Sequence, residues 1–125
     1  MDVAVKPVAW IGSTKKDLLA MPEEVQSQVG FALFQVQCGQ MPAEAKPLKG
    51  FGGASVQEIV VDYDRDTYRA VYTVRFAGWV YVLHCFQKKS KSVIKTPQED
   101  IDLIHARLKA ARADFETWQS TQRTR

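Results

Sequence analysis

The chain has 125 residues, 46% apolar and 25% charged, which suits one soluble domain with a real core. Its net charge of +3 argues little by itself, so functional charge must be sought in local clusters. No apolar run approaches the ~20 residues needed to span a bilayer, and the start Met1–Pro7 lacks the charged and apolar regions of a signal peptide. Cys38 and Cys85 lie far apart, form no C-x-x-C pair and sit in apolar surroundings, so buried reduced thiols in a cytoplasmic protein are expected.

Val3 to Ile11 reads as a strand, and Pro7 places it at a sheet edge because proline cannot donate to a ladder. Gly12-Ser13-Thr14 breaks it, with Thr14 set to cap a short helix that turns Leu18 and Leu19 inward. Pro22, Glu23 and Glu24 open a second helix, on which Val25, Val29, Ala32, Leu33 and Val36 recur at helical spacing. Gly39 is its C-cap, and the two helices form a hairpin. Gln40 to Gly53, with its prolines and glycines, reads as loop. Val56 to Asp62 is a strand, and Tyr63–Asp66 turns it into a second hairpin.

That hairpin organises the chain. Thr67–Phe76 and Trp79–Phe86 are β-rich runs separated by Ala77-Gly78. A two-residue turn sets Arg69 opposite Phe86, Val71 opposite His84 and Thr67 opposite Lys88. Alternation then puts Tyr68, Ala70, Tyr72, Val74 and Phe76 with Trp79, Tyr81, Leu83 and Cys85 on a core face. Arg69, Val80, Val82, His84, Phe86 and Lys88 share the other. Thr96-Pro97-Gln98-Glu99 has the form of a capping box, and Ile101, Ile104, Leu108, Ala111, Phe115 and Trp118 make the apolar stripe of a last helix. From about Ser120 the tail is polar. The order is strand, helix, helix, three strands, helix, in a single domain over residues 1–125.

Several chemistries find no support. His84 and His105 form no helical pair and join no cysteine cluster, so no metal is expected. Gly50-Phe51-Gly52-Gly53 lacks the setting and the GK[ST] ending of a phosphate loop and reads as a tight turn. The run Lys88, Lys89, Lys91, Lys95 is more informative, since no acid lies between Phe86 and Thr96. It is either a solvated basic loop or a phosphate-binding rim. With Arg69, His84 and Phe86 on the face of Lys88, it supplies the kit of a metal-free ribonuclease. Such an enzyme needs a base for the 2′-hydroxyl, cations for charge on the phosphorus oxygens and an acid for the leaving oxygen.

Lys49-Gly50-Phe51, Tyr68-Arg69-Ala70-Val71-Tyr72, Leu83-His84-Cys85-Phe86-Gln87-Lys88-Lys89-Ser90 and Lys95-Thr96-Pro97 together resemble the HigB-like, phage-derived branch of the RelE/ParE toxin superfamily. The resemblance covers about Lys46 to Ala111. It implies an α+β, RelE-like fold, a small antiparallel sheet packed by an N-terminal helical hairpin and a C-terminal helix. It also implies a toxin of a type II toxin–antitoxin module, a ribosome-dependent endoribonuclease that cuts messenger RNA without a cofactor. Its partners would be the ribosome, mRNA and a helix-turn-helix antitoxin, through which alone it would meet operator DNA, with no membrane partner. Carried over by motif, Arg69 contacts the scissile phosphate and Lys88 and Lys89 stabilise its charge. His84 transfers or orients a proton, and Phe86 stacks on a base. Lys49, Lys91 and Lys95 add phosphate contacts. Gln57 and Glu58 stand where RelE proper has basic residues, so the general base stays open between His84 and Glu58, and Glu58 reads equally as a structural carboxylate paired to Arg69. Two rivals are a ParE-like protein that blocks a topoisomerase by binding and a non-catalytic RNA-binding phage accessory module.

Overall fold

The computed structural model describes residues 4–52, 55–88 and 96–123. Eight elements follow one another: β1 (Val8–Trp10), α1 (Thr14–Leu19), α2 (Glu23–Gln37), β2 (Ala45–Pro47), β3 (Val56–Tyr63), β4 (Asp66–Thr73), β5 (Val80–Lys88) and α3 (Gln98–Arg123). The strands form one five-stranded open sheet in the order β1-β5-β4-β3-β2. The fold is α+β. The expected all-antiparallel sheet is corrected to a mixed one, because β1 runs parallel to β5.

The sheet separates two apolar layers. On one side Leu18 of α1 and Val25, Val29, Ala32, Leu33 and Val36 of α2 pack on Ile59, Val61, Ala70, Tyr72, Val82 and Cys85. On the other, Ile104, Leu108 and Ala111 of α3 pack on Val56, Val71, Tyr81 and Leu83. The helical stripes therefore face the sheet as their spacing requires. α3 continues through Phe115 and Trp118, which meet Phe76 and Trp79 at ring-centroid distances of 5.4 and 5.6 Å. It stays helical to Arg123, beyond the tail expected from Ser120.

Local chemistry sets the ends of these elements. α2 stops at a Schellman motif: Gly39 has φ +84, its N–H donates to Val36 O, and Gln40 N–H donates to Gln35 O. Thr14 is not a cap but the buried first residue of α1, and Ser13 is the N-cap. Pro7 directly precedes β1, an edge strand shortened from the expected Val3–Ile11. Cys85 is buried, whereas Cys38 at the end of α2 is half-exposed, not buried as expected.

Two expectations fail for a common reason, local irregularity. The segment read as loop contains β2, whose three residues pair with Gln57–Ile59. Its flanking prolines mask the signal, and Pro47 is tolerated because β2 is an edge strand. In the β4–β5 hairpin the turn at Ala77-Gly78 forms, and Trp79 N–H donates to Phe76 O. Thr73 then pairs with Tyr81 and Tyr72 with Val82, one residue out of the simple register. A bulge at Leu83 restores it, so Arg69 opposes Phe86, Val71 opposes His84 and Thr67 opposes Lys88 as expected. Between the two shifts the faces swap. Val80 and Val82 join the α2 layer, while Phe76, Tyr81 and Leu83 join the α3 layer, and Val74 is exposed.

The β3–β4 turn carries Asp64 at φ +48 and Arg65 at φ +71, both in the left-handed region. That geometry suits the strand twist but favours glycine at the second position. Arg65→Gly should raise stability by about 0.5–1 kcal/mol, the left-handed cost of a side chain less the entropy of glycine. A higher urea midpoint with an unchanged slope is the expected readout.

Candidate functional site

Alternation along β2, β3, β4 and β5 aims Lys46, Glu58, Arg69 and Lys88 at the α3 side of the sheet. Glu58 and Arg69 come from adjacent strands, where Val60 opposes Arg69 and Glu58 opposes Val71. They are thus diagonal neighbours within reach of long side chains. Arg69 Nη1 donates to Glu58 Oε1 at 2.5 Å, and both side chains are almost wholly buried. Thr96 Oγ1 donates to the other carboxylate oxygen at 3.0 Å. The hydroxyl expected to cap α3 is therefore engaged by a buried carboxylate. The first helical N–H groups of Asp100 and Ile101 bond Pro97 O instead.

Above this pair opens a cleft of about 650 Å³. Residues 46–50 form one wall and Thr96, Gln98 and Ile101 the other, with Glu58 and Arg69 lining it between them. Arg69 has a buried Nε–H with no acceptor among the described residues. An unpaired buried donor on a cation is costly. An anion entering the cleft would relieve that cost with a charge-assisted bond.

Lys88 is also buried and has Arg69, Glu58 and Lys46 in its electrostatic surroundings. Burial, then the charge of Arg69, pushes its ammonium below the ordinary lysine value, with Glu58 opposing. Lys88 lines a smaller depression of about 260 Å³ with Asp62, Asp66 and Thr67 at the β3–β4 turn. It therefore lies beside the main cleft, not in its wall.

Among the residues singled out in the sequence, Arg69 and Lys49 line the cleft. His84 and Phe86 do not. His84 Nε2 lies 2.7 Å from Asp100 Oδ1, and Arg107 Nη1 lies 3.4 Å from Nδ1. Arginine can only donate, so Nδ1 accepts and Nε2–H donates to Asp100. Both ring nitrogens are thereby engaged in fastening α3 to β5. Arg107 extends the clamp to Leu83 O and Ser13 Oγ, and approaches Gly12 where a Cβ would sit about 3.0 Å from its Nε. Phe86 stacks on His84 at 4.4 Å and borders a separate depression with Asp17, Met21 and Tyr68. Lys89, Lys91 and Lys95 lie outside the described residues. No group of three or more metal-ligating side chains occurs among the described residues. No helix in them is long and apolar enough to cross a membrane.

The sequence reading missed Lys46 and Thr96 as site residues. Lys46 had no periodic signal in a three-residue strand between prolines. Thr96 belonged to a convincing capping pattern that drew attention to the helix.

Removing one partner of the buried pair should be severe: Arg69→Ala or Glu58→Ala should cost about 3–5 kcal/mol in urea denaturation. A Glu58→Leu/Arg69→Met double variant should recover most of that loss. A further check concerns Lys88. Because its folded-state value is lowered, the unfolded chain binds more protons between that value and 10.5. Wild-type stability therefore gains from Lys88 as pH rises through that window. Lys88→Met should be the more stable protein at neutral pH, and the gap should close toward the upper end of the window.

A family model described as phage-derived protein Gp49-like (DUF891) matches residues 16–109, well over half of the 125-residue chain. The chain belongs to this family of toxin-like proteins. Neither a curated protein nor a solved structure matches it.

Proposed function

We propose that this member of the Gp49-like family is the toxin of a toxin–antitoxin module and cleaves messenger RNA on the ribosome without a metal ion. The observation that carries the reading is the Arg69 guanidinium at the cleft, with one buried N–H lacking an acceptor among the described residues and Lys46 and Lys49 lining the same cleft. Arginine and lysine in a partly dry cleft are suited to the charge that develops on a phosphoryl group.

The scissile phosphate enters between the wall of residues 46–50 and the start of α3. Its oxygens compete with Glu58 for Arg69, which frees carboxylate Oε1. Glu58 then takes the proton of the adjacent 2′-hydroxyl. The 2′-oxygen bonds to phosphorus, the bond from phosphorus to the 5′-oxygen breaks, and the electron pair leaves with that oxygen. Lys88, beside the cleft and within the electrostatic reach of Arg69 and Glu58, has a lowered affinity for its proton and protonates the leaving oxygen where the RNA strand passes from the cleft to the β3–β4 turn. The products are a 2′,3′-cyclic phosphate and a 5′-hydroxyl, and no water, oxidant or metal is consumed. His84 acts through position, holding α3 against β5 so that Thr96 and Ile101 close the cleft.

A second reading, RNA binding without cleavage, is favoured by the engagement of both Glu58 oxygens. Primer extension on cellular messages shortly after induction separates the two. New 5′ ends within translated regions are expected for wild type, and at least a hundredfold fewer for Glu58→Gln and Lys88→Met, in line with the loss of one general acid or base. Thermal melts of both variants check their folding. Equal cleavage by both variants would sink the catalytic assignment. Growth arrest with intact messages would move the target to a topoisomerase or another bound partner.

A further inference from the structure

An RNA strand with one phosphate held in the cleft carries a base on each side of that phosphate, so the aromatic side chains at the rim bear on how it would be held. The sequence offers Phe86 for stacking, but Phe86 is covered by His84 and borders another depression. A different aromatic pair stands where a base is needed. Phe51 directly follows Gly50 of the cleft wall, and His105 follows Ile101 of the opposite wall by one helical turn. Their rings stack at 4.1 Å with an interplanar angle of 22°.

The two members of the pair differ in setting. Phe51 is buried, and its backbone carbonyl accepts from Arg75 Nη2 at 3.0 Å, which anchors its main chain. Arg75 also grips Ser55 Oγ at 2.6 Å, while Thr73 Oγ1 donates to Ser55 O, which steadies both ends of the turn that carries Phe51. His105 is exposed on α3, and its ring stacks on that of Phe51. A ring already held by stacking loses little entropy when a base stacks on it.

We infer that Phe51 and His105 form a stacking platform for one base of the RNA strand held in the cleft, with His105 as the contact surface. The inference rests on the reading of the cleft as an RNA site. The platform accepts any base by its π-face and prefers the larger stacking area of a purine. It sets which base stands beside the scissile phosphate, and takes no part in bond breaking.

The test uses binding, not cleavage. Short 2′-O-methyl oligoribonucleotides, which lack the nucleophile, are titrated with an abasic site walked along the strand. Wild type should lose about tenfold in affinity at one abasic position, as expected for one base stacked on an aromatic ring. His105→Ala should bind every oligonucleotide of the set equally, and His105→Tyr should restore the penalty. Lys46→Ala should instead weaken all of them by one factor and lower the salt slope by about one. An abasic penalty that persists in His105→Ala overturns the platform and leaves the cleft intact as a phosphate site. A penalty abolished in His105→Ala beside an unaltered salt slope in Lys46→Ala keeps the platform and overturns the cleft reading. Failure of wild type to bind any of the strands overturns both.

Discussion

The ion pair between Glu58 and Arg69 constrains everything near it. Taking two charges out of water is expensive, and it is tolerated only where geometry is close and spare lone pairs are satisfied. Here the 2.5 Å contact supplies the first condition and the Thr96 hydroxyl the second. The pair ties the two central strands in one register, because a slip of either strand by one residue would send its charge into the apolar α2 layer and leave the other unpaired. It also ties the entry of α3 to the sheet, since Thr96 is two residues ahead of the helix. Arg69, Lys46 and Lys88 all lie near Glu58, and one guanidinium N–H has no acceptor among the described residues. A fold with surplus positive charge around a buried arginine is set to receive an anion.

Much of this was legible in the residues, and the reasons are local. The left-handed C-cap at Gly39, the Tyr63–Asp66 turn and the stripe on α3 each have a strong short-range signature, and each forms. The far end of the central hairpin was also legible, which is why Arg69 stands beside Phe86. Its near end was not. An extra residue at Val74–Arg75 and the bulge at Leu83 cancel, so a correct register at Arg69 hides a swapped face at Tyr81. Both faces are apolar there, so patterning alone cannot tell which way Val80, Tyr81 and Val82 point.

The candidate site shows the complementary limit. Types of residue were readable, but partnerships across long sequence separations were not. His84 belongs to an attractive sequence cluster, yet Asp100 and Arg107, both on α3, occupy its two nitrogens. Glu58 was open between base and structural carboxylate, and its two partners, Arg69 and Thr96, come from another strand and the helix entry, which local patterning does not connect to it. The Gp49-like family match runs over β2 to β5 and the first part of α3, which together build the cleft, without assigning its chemistry.

The parallel pairing of β1 with β5 has a consequence for how the molecule comes into being. Val8 meets Val80, so the edge strand must wait until nearly two thirds of the chain has left the ribosome. Strands β3, β4 and β5 form a meander of neighbours, so their pairing carries a smaller loop-closure cost than that of β1. The Thr96 hydroxyl and the Ile101 wall arrive later still, on the last helix. A nascent chain thus holds its arginine and glutamate before it holds the cleft around them. For a chain of a toxin-like family, that order delays a finished site until the start of α3 has been made.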